Sequence, residues 1–491
     1  MKIALAHYHL KTGGVTTVLR QQVEAIKNDC EILVLTGELP DSPFPADIKH
    51  IPGLAYYGRS SKKVFIPKEV AESIIKAIHS KWKQGCDILH VHNPLLAKNK
   101  NFLKILQELR KRKIRLFLQI HDFAEDGRPL SYFDEDEYVP DCHYGVINSR
   151  DYNILLKAGL KKEGLHKIFN TIKPFELTPP PFPPRGGVTP PSFPPRGGIK
   201  GGVTQRFALY PIRAIRRKNI GEAILLSLFF KNHVALFITQ PPNSPIDIIS
   251  YKGWKRFAKE NSLDVVFEAG LKYDFEKLVL AARFLITTSI TEGFGFSFLE
   301  PWTAKKILCG RKLPDICYDF EQNGIKLDHL YTKLLVPVKW IDKKDLYERW
   351  RASVLKACSL FNYKIDNKNI EKGFSAITKN NNIDFGLLNE SFQKQIIACV
   401  LSDKKNANRL RSLNPYLSHI GEIKNKEDLI QNNMKAVLSN YNNAIYKKKL
   451  FEIYSNVCKN PVRQSIDKKI LLAEFLNLHK FSLLKWGDYA G

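Results

Sequence analysis

The chain has 491 residues, 44% hydrophobic and 25% charged, which suffices for two or three domains with a substantial buried core. Its eight cysteines are scattered without a Cys-x-x-Cys pair, which excludes a zinc or disulfide framework and reads as reduced, packed thiols of a cytoplasmic protein. The formal net charge of +27 comes from lysines in short, dispersed runs. This reads as a solvated lysine-rich surface, with a peripheral contact to an anionic inner membrane face left open; no aromatic-interleaved basic motif appears, so no nucleic acid is expected as partner.

In chain order, residues 2–8 read as an apolar strand, followed by Thr12-Gly13-Gly14 and by Val15, Val18, Leu19, Val23 and Ile26 at helical spacing. The opening residues are too short for a signal segment, and no apolar run approaches the ~18 residues of a membrane span. The first turn carries neither a dinucleotide fingerprint nor a P-loop, yet Gly13 and Gly14 permit close approach of a phosphate or sugar. Strands recur at 31–35, 87–92, 114–121 and 144–148, with helices at 68–82 and 102–112 among them. The alternation predicts a doubly wound α/β domain, in which ligands bind beyond the carboxyl ends of strands. His90, His92, Asn93, His121 and Asp122 occupy such ends, with a packed or solvated side chain as the alternative for each.

Asp134 and Asp136 have an Asp-x-Asp spacing that suits a divalent cation, but they sit in an aromatic, acidic loop without a further ligand set. A solvated loop is the reading, and no metal is assigned. Residues 178–188 (TPPPFPPRGGV) and 189–199 (TPPSFPPRGGI) form a tandem repeat. Proline and glycine at this density predict an unfolded or polyproline-II linker at a domain boundary, with a proline-binding partner as the alternative.

A second α/β series follows, with strands at 207–210, 234–239, 265–268 and 284–289 and helices at 220–230, 248–259 and 275–282. Its first strand leads into Arg213 and Arg216-Arg217-Lys218, a basic cluster placed to neutralise an anion or simply to be solvated. Its last strand leads into Glu292-Gly293-Phe294-Gly295-Phe296-Ser297-Phe298-Leu299-Glu300. Helical spacing from Ser297 onward predicts strand, glycine turn and helix, hence an anion site at the helix N-terminus. Two carboxylates flank it, and carboxylates accept hydrogen bonds from vicinal hydroxyls. That combination fits a nucleotide sugar; a βα turn with surface glutamates is the alternative.

The 292–300 segment resembles the Glu-x7-Glu motif of retaining GT-B glycosyltransferases, especially the family-4-like group. The resemblance implies a GT-B fold of two Rossmann-like doubly wound domains facing across a cleft. They would span residues 1–175 and 205–400, with the repeat linker at 176–204 and a helical C-terminal region, 401–491, crossing back to the first domain. It implies that Glu292 contacts sugar hydroxyls, that Gly293, Phe294, Gly295 and Phe296 contact sugar and phosphate, and that Glu300 binds the ribose. Arg213 and Lys218 would grip the diphosphate, and His121, in Gln119-Ile120-His121-Asp122, would support the sugar from the opposite domain. The paired glycines, Gly13 and Gly14, would face donor and acceptor. Pro301-Trp302 replaces the small residue usual after the second glutamate, and Pro211-Ile212 replaces the glycine usual before the arginine.

The implied activity is hexosyl transfer from a nucleoside diphosphate sugar, with retention of configuration and without a metal or other cofactor. The acceptor would be a carbohydrate, a lipid-linked or a small molecule. A non-catalytic nucleotide-sugar-binding or scaffolding protein on the same fold is the alternative. A nicotinamide-dependent oxidoreductase is disfavoured by the missing Gly-x-Gly-x-x-Gly.

Overall fold

The computed structural model describes residues 1–56, 65–176 and 206–487, so the proline-glycine repeat at 178–199 lies outside the described residues. The chain divides into two compact units. The first comprises Met1–Thr171, Leu355–Ile365 and Asn440–Asn477, and the second Ile172–Val354, Asp366–Ser439 and Leu478–Gly491. The helical stretch beyond residue 400 is therefore shared: the helix Asn443–Lys459 belongs to the first unit and Glu427–Asn440 almost wholly to the second.

The first unit is built on seven parallel strands, β1 (Lys2–His7), β2 (Glu31–Thr36), β3 (Asp47–His50), β4 (Ile88–His92), β5 (Leu116–Ile120), β6 (His143–Val146) and β7 (Leu165–Lys167). Their order is β3-β2-β1-β4-β5-β6-β7, so the winding reverses between β1 and β4. Helices cover both faces of such a sheet, and its central strands read as continuous apolar runs. On β1 the side chains alternate between the faces. Ala4 and Ala6 join the core beneath the helices Pro67–Lys81 and Phe102–Lys111. Ile3 and Leu5 join a second core, with Leu19, Val23 and Ile26 from the helix Gly14–Ile26 and Leu450, Ile453 and Tyr454 from the C-terminal helix Asn443–Lys459. Each such side chain contributes roughly 1.5–3 kcal/mol on burial.

The second unit has five parallel strands, β8 (Phe207–Arg213), β9 (Ala235–Gln240), β10 (Val265–Val266), β11 (Phe284–Thr287) and β12 (Leu308–Gly310). Their order, β10-β9-β8-β11-β12, again reverses beside the first strand, between β8 and β11. A separate antiparallel pair joins β13 (Leu335–Pro337) to β14 (Asn382–Asp384). No helix among the described residues is long and apolar enough to cross a membrane. All eight cysteines are unbonded.

One expectation changes. The helix predicted from Ser297 onward is only a 3-10 turn, Phe296–Phe298, and a four-residue helix, Glu300–Thr303. Pro301, in the first turn of the second piece, has no N–H to continue hydrogen bonding from the first, and Lys305, at φ 53°, follows its end. The anion site therefore has no long helix behind it, and the charge must come from side chains. The acidic loop is largely solvated, with Asp134, Glu135 and Glu137 exposed and Asp136 half-buried. Lys468 reaches into it, its ammonium bonded to the carbonyls of Phe133 and Asp136, while Asn362 donates to both carboxylate oxygens of Asp134 at 2.9 and 3.0 Å. Asp136 instead faces Lys104 at 3.6 Å, so the two aspartates are turned to different partners.

Candidate active site

Strand β8 sets the site. Proline cannot donate to a ladder, and the pairing of β8 with β9 is irregular between Tyr210 and Arg213, where Pro211 sits. The chain then turns through a 3-10 helix, Arg216–Lys218, into the left-handed Asn219 at φ 53°, which an asparagine tolerates. Two buried hydroxyls, on β8 and just past the end of β11, fasten this turn. Tyr210 donates to the Lys218 carbonyl at 2.5 Å, and Thr288 donates to the carbonyls of Lys218 and Asn219 at 3.1 and 2.9 Å. The Thr288 amide in turn donates to the Tyr210 oxygen at 3.1 Å.

A second layer holds Asn219. Its amide donates to Glu222 at 2.8 Å and accepts from Gln393 at 2.9 Å. Glu222 is fully buried between Asn219, Tyr331 and Arg311, and Arg311 forks onto both Glu222 and Asp384 at 2.6–2.8 Å. Breaking a buried pair of this kind strands a charge and typically costs about 3–5 kcal/mol. The basic turn is thus held from behind by ionised groups.

Glu292 lies under the turn, 7% exposed, with Lys218 paired to one oxygen and Arg217 donating to the other at 3.2 Å. Burial alone would raise its pKa, but the two cations prevail and hold it at about 2. Burial lowers Lys218 from its ordinary value while Glu292 pulls it back up. Arg217 also donates to the Thr291 carbonyl at 3.1 Å, so the turn and the loop before Glu292 are tied at two points. Arg216 is turned away, onto Asp247 and the Gly487 carbonyl.

Between these groups lies a cavity of about 250 Å³, whose polar wall is Arg213, Arg217, Lys218, Glu292, Ser297 and Glu300. Phe175, Phe275 and Phe296 are among its apolar lining. The Arg213 side chain is exposed and has no partner among the described residues. Glu300 also lacks a side-chain partner there, and burial lifts its carboxyl to about 6 despite Lys218. The Ser297 hydroxyl is buried and unpartnered. Gly295, at φ +94°, makes the turn; a Cβ there would meet Phe298 at 3.0 Å and Ile316 at 3.1 Å. Three cations converging with two carboxylates and a spare hydroxyl can receive a polyanion that also carries hydroxyl groups.

Arg213, Lys218, Glu292, Phe296 and Glu300 are therefore brought together in the second unit. Phe294 is turned into the core, 4% exposed. Neither it nor Gly293 nor Gly295 lines the cavity by side chain. Arg217 was missed as a site residue: spacing alone does not say which member of Arg216-Arg217-Lys218 points inward, and the 3-10 turn decides it. Ser297, Phe175 and Phe275 had no signal of their own.

Gly13, Gly14 and His121 belong to the first unit. Gly14 begins the helix Gly14–Ile26 and a Cβ on it would meet nothing within 4 Å, so the turn leaves open space. His121 follows β5 and is 6% exposed. Its Nε2 is 2.9 Å from Nδ1 of His92, and both its own amide and that of Asp122 donate to the Asn93 side chain at 3.0 and 2.9 Å. Beside it, His90 Nε2 is 2.9 Å from Gln119, and Gln22 and Tyr454 both lie 2.9 Å from His90 Nδ1. Burial holds all of these rings neutral, with His90 near 3, His121 near 4 and His92 well below the ordinary value.

No family model matches the chain. It is 26% identical over 485 residues to a mannosylglucosyl-3-phosphoglycerate synthase from Petrotoga mobilis, covering 92% of this chain and 90% of that protein. Among solved structures it resembles sucrose-phosphate synthase from Thermosynechococcus elongatus, with a TM-score of 0.51 at 13% identity over 92% of this chain and 98% of that one. It resembles Anabaena HepE, solved in complex with UDP-glucose, with a TM-score of 0.51 at 12% identity over 93% and 99% of the two chains. With its two Rossmann-like parallel sheets and helical C-terminal part, the chain has the GT-B fold of glycosyltransferases.

Proposed function

We propose that the protein is a retaining glycosyltransferase whose second unit binds a nucleoside diphosphate sugar. One observation carries the reading: Arg213, Arg217 and Lys218 converge with Glu292 and Glu300 on a single cavity at the strand ends. Three cations match a diphosphate, and the carboxylates match hydroxyl groups of ribose and sugar. The chemistry is electrostatic: positive side chains fixed before the reaction stabilise the charge that develops on the departing diphosphate. Lys218 is pinned through its own carbonyl and Glu292, so little reorganisation is needed. Glu292, held ionised, accepts hydrogen bonds from the sugar, and Glu300 accepts them from the ribose. These cations meet the diphosphate's charge without a metal, so EDTA leaves turnover intact. His121 and the Gly13–Gly14 turn are proposed as ligand-contacting groups of the first unit.

The likeness to the Petrotoga enzyme supports a mannosylated glucosyl-phosphoglycerate as the class of product, and hence a phosphorylated glycoside as acceptor. The test is incubation of the purified protein with UDP-, GDP- and ADP-hexoses and glucosyl-phosphoglycerate, with the product read by mass spectrometry and its anomeric configuration by NMR. A new glycoside with the donor's configuration is expected. Binding of a nucleotide sugar without turnover towards any acceptor would leave a sugar-nucleotide-binding protein instead.

A further inference from the structure

The histidines at the strand ends of the first unit set an unusual problem of proton placement. His92 is fully buried. Its Nδ1 lies 2.9 Å from His121 Nε2, and its Nε2 is buried without a hydrogen-bond partner among the described residues. A neutral imidazole carries one proton, on one nitrogen or the other. The short contact between the two rings requires one proton between them, which leaves two arrangements. If His121 Nε2 donates to His92 Nδ1, the proton of His92 must sit on Nε2, as a buried N–H with no acceptor. If His92 Nδ1 donates to His121 Nε2, the orphaned Nε2 of His92 is only a lone pair. An unpaired buried N–H is the rarer and costlier defect.

We infer that His92 is a positioning residue that fixes His121 as its Nδ1–H tautomer and so makes it a hydrogen-bond donor rather than a base. His121 Nδ1 has no partner among the described residues and is not among the buried unsatisfied atoms, so it is the free end of the pair. The frame around the pair leaves the rings little choice of position. His92 stacks on His90 at 4.4 Å, and His90 is held by Gln22, Gln119 and Tyr454. The His92 carbonyl lies 3.3 Å from His7 Nδ1. The amide of His121 is tied to Asn93, whose left-handed backbone at φ 58° ends β4. A ligand oxygen at His121 would therefore receive a proton-bearing nitrogen, and His121 could not take a proton from an acceptor hydroxyl without first losing this arrangement.

The consequence for the ligand rests on the proposed role of His121; the tautomer itself does not. It is read on the intact protein by nitrogen-15 NMR after ring labelling of histidine, with the His121 signals identified by their loss in His121→Asn. The wild type is expected to show a protonated Nδ1 and a bare Nε2 at His121. His92→Phe removes the donor and should leave His121 a mixture of tautomers, with transfer down about tenfold, the scale of one neutral hydrogen bond. His92→Asn places an amide N–H near the lost Nδ1–H and should restore both. A protonated Nε2 at His121 in the wild type overturns the inference, and so does an unmixed Nδ1–H signal in His92→Phe. If neither variant folds, the wild-type spectrum still decides. An inactive protein with His121 protonated at Nδ1 supports this inference while defeating the functional reading. An active one with His121 protonated at Nε2 does the reverse.

Discussion

The two units carry strand-end clusters of opposite character. In the second, Lys218, Arg217 and Glu292 are kept charged by pairing, and Arg311, Glu222 and Asp384 keep charge behind them. In the first, His7, His90, His92 and His121 are kept neutral by burial and exchange hydrogen bonds only with neutral groups. Both sit where the winding of a parallel sheet reverses, so the fold supplies the place and the residues supply the chemistry. A charged cluster suits a polyanion that must arrive and leave. A neutral one suits directional hydrogen bonds that do not depend on pH near 7.

The largest effect expected from breaking this contrast is at Lys218. Lys218→Ala should lower turnover about 10²–10³-fold, the scale for removing one stabiliser of developing charge, with little change at the first unit's histidines. Steady-state transfer assays check it, and a loss below about threefold would detach Lys218 from the reaction.

Glu292→Gln comes next. It should lower turnover more than donor affinity, by about tenfold or more, because in the proposed complex the carboxylate meets the sugar and steadies Lys218. It should also change acid stability. The Glu292 carboxyl is held at about 2 against an ordinary 4.5. Its contribution is present above about pH 4.5 and is lost as pH falls towards 2. Thermal unfolding of the variant should therefore depend less on pH in that window than the wild type does.

Glu300 should show a pH-dependent effect, on binding and not on turnover. Its carboxyl is lifted to about 6 by burial, so donor affinity should weaken as pH falls through 6. Glu300→Gln should remove that dependence and weaken binding at pH 7.5 by roughly 1.5–3 kcal/mol, the worth of hydrogen bonds to a charged group. Calorimetric titrations at pH 5.5 and 7.5 check both arms.

The effect on stability that appears only on acidification belongs to the histidines. Buried neutral rings have folded pKa values near 3 to 4 against an ordinary 6.5. The unfolded chain binds more protons below pH 6.5, so their contribution is complete above that value and is lost as pH falls towards 3. Hydrogen exchange should loosen β1, β4 and β5 between pH 6.5 and 4.5, before the Glu292 region responds. Simultaneous loosening of both units would contradict the contrast.

Much of this was legible in the sequence. The apolar runs of β1, β2, β4, β5, β8, β9 and β11 announce buried parallel strands, and the polar residues closing them, His121 and Arg213 among them, mark the ligand edge. Strand β3 escaped because Asp47–His50 is an edge strand with three exposed side chains and no apolar run. The helix after Gly295 was overread because Phe298, Leu299, Trp302 and Ala304 have helical spacing, whereas Pro301 and the turn at Gly295 govern the backbone. The role of Arg311 is not legible in the sequence, since its partners stand at 222 and 384, a separation no local pattern reveals. The inward turn of Arg217 was hidden for the same reason as the pairing of His92 with His121. Which nitrogen meets which atom is settled by tertiary packing.

The central claim is that the second unit's charged cavity holds a nucleoside diphosphate sugar, and calorimetry on Arg213→Ala beside the wild type tests it most directly. Arg213 is exposed and has no partner among the described residues, so its removal should leave the fold and the buried Lys218–Glu292 pair in place. Across a panel of UDP-, GDP- and ADP-sugars, the wild type is expected to bind at least one, and Arg213→Ala to bind it about tenfold or more weakly, the cost of a charged hydrogen bond. Failure of the wild type to bind any of them, or equal affinity in the two proteins, would contradict the account.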